Sequence, residues 1–464
     1  MVSNSILGQT LFASRRPIID RNKRIFGYEL IFNRLERAHT ASENGVQKHV
    51  TADSPNGVTI AMISGNRPAL ISVDPATAMQ LWAKMAPGEQ TILQLPARER
   101  EDRELPGLCK TLRAQGYSLC MEQRAGHSNP PLPNMVNFVK IRVGHYSSPD
   151  LEKALAELKR ASVKTIGTRV STAQDFDDLA LMGFDLFQGD FFAKPSVITK
   201  KSITPAQALL LELSTRMAKN EDIQGIENIF KKNPDLTFGL LSLAHSAFFS
   251  VPESVTSIRQ AIALLGYANL QKWIGLMLFN ISHSDAASNP LLEKALIRAR
   301  MMELLAKKHK KDEALADSAF ITGIFSLIHV LFNVPVEELL EKTTLSEEIR
   351  DALLGRAGIL GNLLQATETL EKGEYDKAAA TTQEMALSLF DLLSSETQAI
   401  TEYASSNSGG PSSREASAVE TTAKRASTPP ILGGRQGKSV LSKGSPSILA
   451  RFFSIFRRSS PARR

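Results

Sequence analysis

The stretch FASRRPIIDRNKRIFGYELIF, residues 12–32, sets the expected fold. Its polar centre predicts a turn, and the apolar run Ile25–Ile31 after it predicts a β-strand. Six further short apolar runs predict strands at Ala69–Val73, Thr91–Leu95, Ser118–Met121, Phe138–Ile141, Lys164–Thr168 and Leu186–Gln188. Helical patterns such as Pro149–Ala161 and Thr172–Met182 separate the later runs. Repeated strand–helix units predict a parallel sheet, and seven or eight of them close a TIM-like barrel over residues 1–199.

The pattern changes after residue 199. Residues 200–400 carry helical periodicity, and Thr204-Pro205 has the sequence of a helix start, with an N-cap followed by proline at the first helical position. This part is predicted to be an all-α domain that contains single helices over Glu313–Phe332 and Tyr375–Leu393. Residues 401–447, rich in Ser, Gly, Pro and Thr, predict a disordered linker.

Charge is unevenly distributed along the 464 residues. The net charge is +7, but residues 403–464 contain 11 Lys and Arg against 2 acidic residues, so the first 402 residues carry −2. The folded part is therefore near neutral, and the basic character of the chain gives no reason to expect that its core binds nucleic acid.

Several features favour a cytoplasmic protein. Cys109 and Cys120 are too few for a disulfide framework and lack metal-ligand spacing, so reduced thiols are expected. No signal peptide is predicted, since Met1–Gln9 has no basic start and no long apolar stretch, and Arg15-Arg16 is followed by proline and charged residues where a twin-arginine signal needs an apolar region. The charge-free run at 318–336 is favoured as a buried helix over a membrane span, because it contains His329, Asn333 and Pro335.

Residues 12–32 and the segment Phe187–Pro195, FQGDFFAKP, resemble the first and last signatures of EAL-type cyclic di-GMP phosphodiesterases. That resemblance implies a barrel whose strand ends carry acidic ligands for two divalent metal ions. Such metals clamp the phosphate and activate the attacking water, and Mg²⁺ or Mn²⁺ prefers carboxylate oxygens.

Most of the acidic ligand positions that this resemblance implies are occupied here by other residue types. Glu29 and Gln188 are kept, Glu122 stands at a paired-aspartate position, and Lys140 keeps the family's lysine. The remaining positions hold Ser72, Gln94, Arg142, Thr168 and Arg169, while Arg34 adjoins the position of a phosphate-binding arginine. Arginines where dications would bind oppose metal binding, so no metal and no cofactor are expected.

The helical half resembles HDOD domains at residues 233–249 and 257–266, and roughly residues 10–400 together resemble bacterial proteins that pair an EAL-like domain with an HDOD domain. HDOD domains are related to metal-dependent HD phosphohydrolases but lack the His-Asp metal pair. Here Phe325-Ser326 stands at that position. This half is therefore expected to bind proteins.

Residues 448–464 predict a basic amphipathic tail. Its apolar residues recur at helical spacing beside arginines; they are Ile448, Leu449, Phe452, Phe453 and Phe456, with Arg451, Arg457 and Arg458. Such a helix can lie on an anionic membrane or dock in the groove of a partner.

These features favour a non-catalytic bacterial signalling protein that acts through protein–protein contacts with partners of unknown identity. One alternative is a cyclic di-GMP effector that binds the nucleotide without cleaving it, through Glu29, Lys140 and Gln188. The other is a working phosphodiesterase. Lys140, Arg142 and Arg169 could bind phosphates or could form ion pairs at a site that has lost its catalytic residues. The sequence favours ion pairs.

Overall fold

A computed structural model describes residues 9–36, 60–72, 90–95, 105–123, 135–145, 148–194, 204–219, 221–244, 257–280, 289–341 and 345–407. Its N-terminal half is a closed barrel of eight strands in chain order. The strands are β1 Gln9–Asp20, β2 Ile25–Glu36, β3 Ala69–Ser72, β4 Thr91–Leu95, β5 Ser118–Gln123, β6 Phe138–Arg142, β7 Lys164–Thr168 and β8 Leu186–Gln188. The predicted fold class, a barrel followed by a helical half, is confirmed.

Strand β1 was absent from the predicted set, and it makes the sheet mixed rather than parallel. It pairs antiparallel with both β2 and β8, whereas the neighbours from β2 to β8 pair in parallel. Arg15, Arg16 and Pro17 interrupt any β-like pattern in the sequence, and Pro17 cannot donate a backbone hydrogen bond. The strand persists because its long pairing with β2 and the return contact with β8 close the barrel.

Helices of the barrel half cover the sheet from outside. They are α1 Ile60–Ser64, α2 Leu105–Ala114, α3 Ser148–Arg160 and α4 Ala173–Met182. At α4 the Thr172 side chain accepts from the Asp175 amide while the Asp175 carboxylate accepts from the Thr172 amide, and Gly183 ends the helix in the left-handed conformation. These local signals explain why the pattern over Thr172–Met182 predicted this helix.

The second half is helical throughout its described residues. Its helices are α5 Pro205–Ala218, α6 Ile223–Lys231, α7 Pro234–Ala244, α8 Ile258–Asn280, α9 Pro290–His309, α10 Glu313–Phe325, α11 Ile328–Phe332, α12 Val336–Glu341, α13 Glu347–Gly355, α14 Gly358–Glu371, α15 Tyr375–Thr382 and α16 Leu389–Asn407. Thr204 caps α5 with a capping box and Pro205 follows it, as the sequence predicted.

Two helix predictions and the predicted start of the linker are wrong in their extent. Glu313–Phe332 is two helices, because Leu327 leaves the helical conformation. Tyr375–Leu393 is also two, since a 3₁₀ turn ending at left-handed Ala386 separates α15 from α16. The predicted linker begins too early, because α16 continues through residues 401–407 and buries Tyr403 and Ala404. Residues 408–447 and the tail at 448–464 lie outside the described residues.

Apolar side chains form a core in each half. In the barrel half, one apolar cluster lies between the strands and the outer helices and contains the buried Cys109. A second cluster lies inside the barrel and contains the buried Cys120. The helical core is larger. Two helical stretches, Ile258–Phe279 and Glu313–Phe332, are long and apolar enough to cross a membrane, but 61% and 72% of their most apolar windows are buried inside the fold. That burial is typical of core helices.

Candidate functional site

The inside of the barrel has an apolar floor below a polar layer. The floor consists of Ile18, Leu70, Ile92, Cys120, Phe138, Ile166 and Leu186. Because side chains alternate across a strand, the residue two positions further along each parallel strand also points inward. Those residues are Ser72, Gln94, Glu122, Lys140, Thr168 and Gln188. The strand alternation therefore places the predicted site residues in one layer at the carboxyl ends of the strands.

Nine of the ten predicted barrel positions line a single cleft of about 910 Å³. They are Glu29, Ser72, Gln94, Glu122, Lys140, Arg142, Thr168, Arg169 and Gln188. The tenth, Arg34, lies in β2 opposite Leu11, and its side chain is outside the described part of the structure.

Glu29 is held by cationic and amide donors at the centre of this layer. Lys140 Nζ lies 2.6 Å from Glu29 Oε1, and Gln188 Nε2 donates to Glu29 Oε2 over 2.8 Å. Lys140 also donates to Gln94 Oε1 over 3.3 Å. Burial acts to raise the pKa of Glu29, but Lys140, Gln188 and Arg16 outweigh it, so that pKa is lowered. Glu29 is therefore an ionised carboxylate with both oxygens already engaged.

The other retained carboxylate is paired as well. Glu122 Oε1 lies 3.6 Å from Arg142 Nη2, and both side chains are partly exposed. Within the described residues no three His, Cys, Asp or Glu side chains form a group that could hold a metal ion. Two dications need several hard oxygen donors, whereas here an ammonium and a guanidinium approach the two carboxylates. The residues of this site do not fit a two-metal centre.

The FQGDFF segment has a steric role at the rim. A Cβ on Gly189 would lie 2.0 Å from the carbonyl oxygen of Val170, so only glycine allows β8 to leave the sheet here. The Val170 amide donates to the Gln188 carbonyl over 3.2 Å, which joins the ends of β7 and β8. Beside this contact Arg169 is exposed, with a left-handed φ of 64°.

The helical half supplies the opposite wall of the cleft, which the sequence did not predict. Lys294 Nζ on α9 lies 3.3 Å from Asp190 Oδ1 of the barrel and 3.1 Å from Glu371 Oε2 at the end of α14. Glu396 of α16 accepts a 2.7 Å hydrogen bond from Ser14 Oγ in β1. These residues are far apart in the sequence and carry no motif, so only the packing of the two halves reveals them.

Burial raises the pKa of Glu396 to about 7, although the hydrogen bond from Ser14 acts in the opposite direction. The neighbouring charge of Glu371 adds to the rise. A carboxyl group that is half protonated near neutral pH therefore lies where the two halves meet.

A buried ion pair fixes this contact between the halves. Arg15 Nη2 lies 3.0 Å from Glu293 Oε1, with 2% and 5% of the two side chains exposed. Tyr28 Oη donates to the other oxygen of Glu293 over 2.7 Å. The Arg15 guanidinium also lies over the rings of Tyr28 and Tyr403, 4.1 and 5.4 Å from their centroids. Arg15 therefore joins β1, β2, α9 and α16.

A comparison with known protein families identifies part of the helical half. A family model described as the HDOD domain matches residues 205–350. Residues 205–350 are an HDOD domain. The chain is 24% identical over 383 residues to the uncharacterized protein YuxH of Bacillus subtilis, covering 79% of this chain and 92% of YuxH. It is also 24% identical over 400 residues to the cyclic di-GMP phosphodiesterase CdgJ of Vibrio cholerae, covering 82% of this chain and 90% of CdgJ.

Solved structures also match the barrel part. BlrP1 of Klebsiella pneumoniae, in a complex with manganese and cyclic di-GMP, is 16% identical, with 41% of this chain and 57% of that chain covered and a TM-score of 0.30. An EAL domain protein of Listeria monocytogenes is 13% identical, with 41% and 89% covered and a TM-score of 0.30. The HDOD match and the similarity to CdgJ over 82% of this chain confirm the resemblance to EAL–HDOD proteins.

Replacing Lys140 with methionine is expected to lower the free energy of unfolding at pH 7 by about 3 kcal/mol, because Glu29 would remain buried without its main cation. Urea denaturation of both proteins measures this. Arg142→Met is the matched control, since its longer, partly exposed pair with Glu122 should contribute less than about 1 kcal/mol. Equal losses in the two variants would contradict a special role for the Lys140–Glu29 pair.

Proposed function

We propose that the protein is a non-catalytic member of cyclic di-GMP-related signalling, which acts by binding rather than by hydrolysis. The observation that carries this proposal is the 2.6 Å contact between Lys140 Nζ and Glu29 Oε1. A metal ion bound to Glu29 would have to displace the Lys140 ammonium from that carboxylate. The ion and the displaced ammonium would still lie close together. The resulting repulsion between like charges, together with the loss of the other acidic ligands, opposes a catalytic centre.

The HDOD domain supports the same proposal. Ser326 stands where the related hydrolases carry the aspartate of their metal pair, and its hydroxyl accepts a 2.8 Å hydrogen bond from Arg298 Nη1. Arg298 also binds Glu371 through two hydrogen bonds of 2.8 and 2.7 Å. A cationic side chain is thus buried beside this position too, so a protein-binding role suits the domain better than phosphate hydrolysis.

Incubation of the purified protein with cyclic di-GMP and Mn²⁺ or Mg²⁺ tests the proposal. We expect no linear dinucleotide above the level of a Glu29→Gln variant prepared in parallel, with an active EAL phosphodiesterase as the positive control. Metal-dependent linear product that disappears in the Glu29→Gln variant would show that the barrel is catalytic.

The second candidate is a cyclic di-GMP effector that binds without cleavage. The size of the cleft favours it, as does the presence of cations at the rim that form no ion pair with other described residues. The inner residues Glu29, Lys140 and Gln188 are bound to one another, so the outer cations would have to contact the phosphates.

The tail at 448–464 is proposed to fix the location of the protein, by lying on an anionic membrane or by docking to a partner. Its alternation of phenylalanine and arginine is the support for this proposal. The cytoplasm is the proposed compartment, since Cys109 and Cys120 are both free.

A further inference from the structure

The three carboxylates of α16 differ in how their charge is compensated. Two of them pair with cations of α9, Asp391 with Lys308 over 3.4 Å and Glu402 with Arg300 over 2.6 Å. The third, Glu396, forms no ion pair with any other described residue. It accepts a hydrogen bond of 2.7 Å from the neutral hydroxyl of Ser14 instead. Glu396 is therefore the carboxylate of this helix that no paired cation neutralises.

Glu396 lies at the contact where α16 docks on the barrel. The next residue, Thr397, accepts a hydrogen bond from the Ala13 amide over 3.1 Å and donates one to the Ala13 carbonyl over 3.3 Å. Ser14, which donates to Glu396, is the neighbouring residue of β1. Because β1 supplies this side of the contact, separation of the two halves would return Glu396 to water. Docking therefore transfers an unpaired carboxyl group from water into the contact.

The elements around Glu396 do not supply a free counter-charge that reaches it. Charged side chains of β1, α9 and the end of α14 line the same cleft; they are Arg15, Arg16, Glu293, Lys294, Glu371 and Lys372. Arg15 and Lys294 already pair with Glu293 and Glu371, and the charge of Glu371 opposes that of Glu396. Arg16 attracts it weakly and without an ion pair. Of the other elements that pack on α16, α15 contributes the phenol of Tyr375 to this cleft and α1 contains no charged residue.

We propose that docking of the helical half on the barrel is linked to protonation of Glu396, so that the contact is tightest in mildly acidic solution and weakens when this carboxyl group ionises. An ionised carboxylate that is enclosed without a cation is costly, whereas a protonated one is neutral and can donate a hydrogen bond. This inference goes beyond the proposed function, because it concerns how firmly the two halves are joined and requires no ligand.

The pH range follows from the proton affinity of the two states. Burial is the main reason that the pKa of Glu396 is about 7 in the docked protein, against an ordinary value of 4.5. Between these values the docked state binds more protons than the separated state, so rising pH favours separation. The contribution of Glu396 to docking should be fully present below pH 4.5, fall as the pH rises to 7, and stay level above 7. Glu371 does not obscure this range, because its pKa of about 2 keeps it ionised throughout.

Urea denaturation of the full chain from pH 5 to pH 8 tests the proposal, with Glu396→Gln as the variant that cannot ionise. Between pH 5 and pH 7.5 the unfolding equilibrium constant of the wild type should rise about tenfold or more relative to that of Glu396→Gln. Hydrogen exchange over β1, corrected for its intrinsic pH dependence, should show the same relative loss of protection, since this strand carries the Ala13 amide. Glu384→Gln is the matched control, because Glu384 is exposed and lies outside the cleft, and it should keep the wild-type profile.

Ser14→Ala provides a second test, which does not depend on how well Glu396→Gln folds. The Ser14 hydroxyl favours the ionised form of Glu396, so its removal should move the pH at which the profile becomes level upward. Parallel pH profiles of the wild type and Glu396→Gln, including a loss of stability that is the same at every pH, would overturn the proposal. A profile that Ser14→Ala leaves unmoved would overturn it too. These measurements use no nucleotide, so linear product in the hydrolysis assay would overturn the proposed function alone.

Discussion

Replacing Arg15 with methionine is expected to lower the free energy of unfolding by about 3 to 5 kcal/mol, because it leaves the Glu293 carboxylate buried without its cation. Glu293 would keep only the hydrogen bond from Tyr28. The stacking of the guanidinium on Tyr28 and Tyr403 would also be lost. Urea denaturation followed by circular dichroism measures the loss, and a second transition would appear if the two halves then unfold separately.

A double variant separates the charge effect from the loss of packing. Arg15→Met combined with Glu293→Gln should recover a large part of the stability, because a neutral amide can still accept from Tyr28. Arg216→Met is the control for an exposed pair, since Arg216 binds Glu212 and Glu221 at the surface and its loss should change stability far less. A loss in Arg15→Met no larger than that of Arg216→Met would contradict the interface role.

Replacing Arg298 with methionine is expected to have the second large effect, about 3 kcal/mol or more at pH 7. Burial acts to raise the pKa of Glu371, but Arg298 and Lys294 outweigh it and lower that pKa from 4.5 to about 2. A shift of this size corresponds to about 3 kcal/mol of stabilisation. The variant would also remove the hydrogen bond that the Ser326 hydroxyl accepts and weaken the connection between Asp190, Lys294 and Glu371.

The pH dependence gives this prediction a second measurement. A depressed carboxyl pKa contributes stability that is fully present above pH 4.5 and is lost as the pH falls towards 2. The difference in stability between the wild-type protein and Arg298→Met should therefore shrink as the pH falls from 4.5 towards 2. A difference that stays constant from pH 7 to pH 3 would contradict the assignment. Arg356→Met, which loses a partly exposed pair with Glu368, should show a smaller and flatter difference.

The fold was predictable where local signals agree with the packing. Strands β3 to β8 are buried on both faces, so they appear in the sequence as continuous apolar runs between helical patterns. Strand β1 was not predictable, because Arg15 and Arg16 interrupt its apolar pattern. The partner of Arg15 is Glu293, which lies in the helical half of the chain. Similarly, no local signal predicted that α16 extends through Asn407, where Thr397 and Tyr403 contact β1.

The candidate site was predictable only in its barrel half. Motif spacing and the two-residue alternation of strands brought Gln94, Lys140 and Gln188 into one layer. Spacing could not show that Lys140 forms an ion pair with Glu29, because these two residues are 111 positions apart in the sequence and only the folded barrel brings their side chains together. Tyr375 and Glu396 lie on helices, and Lys372 directly follows one, without any recognisable motif, so their place in the cleft follows only from the docking of the two halves.

The contact between α16 and β1 has a consequence for how this protein is made. Thr397 Oγ1 accepts from the Ala13 amide, a bond between groups 384 residues apart. A ribosome releases the barrel strands well before it has translated α16, since domains emerge from the N-terminus first. The α16 partners of Ala13 and Arg15, which are Thr397 and Tyr403, therefore become available only after the HDOD domain has been translated. The contact between β1 and α16 forms only after Thr397 has been translated, so neither half can be exchanged between proteins without the surface that the other half supplies.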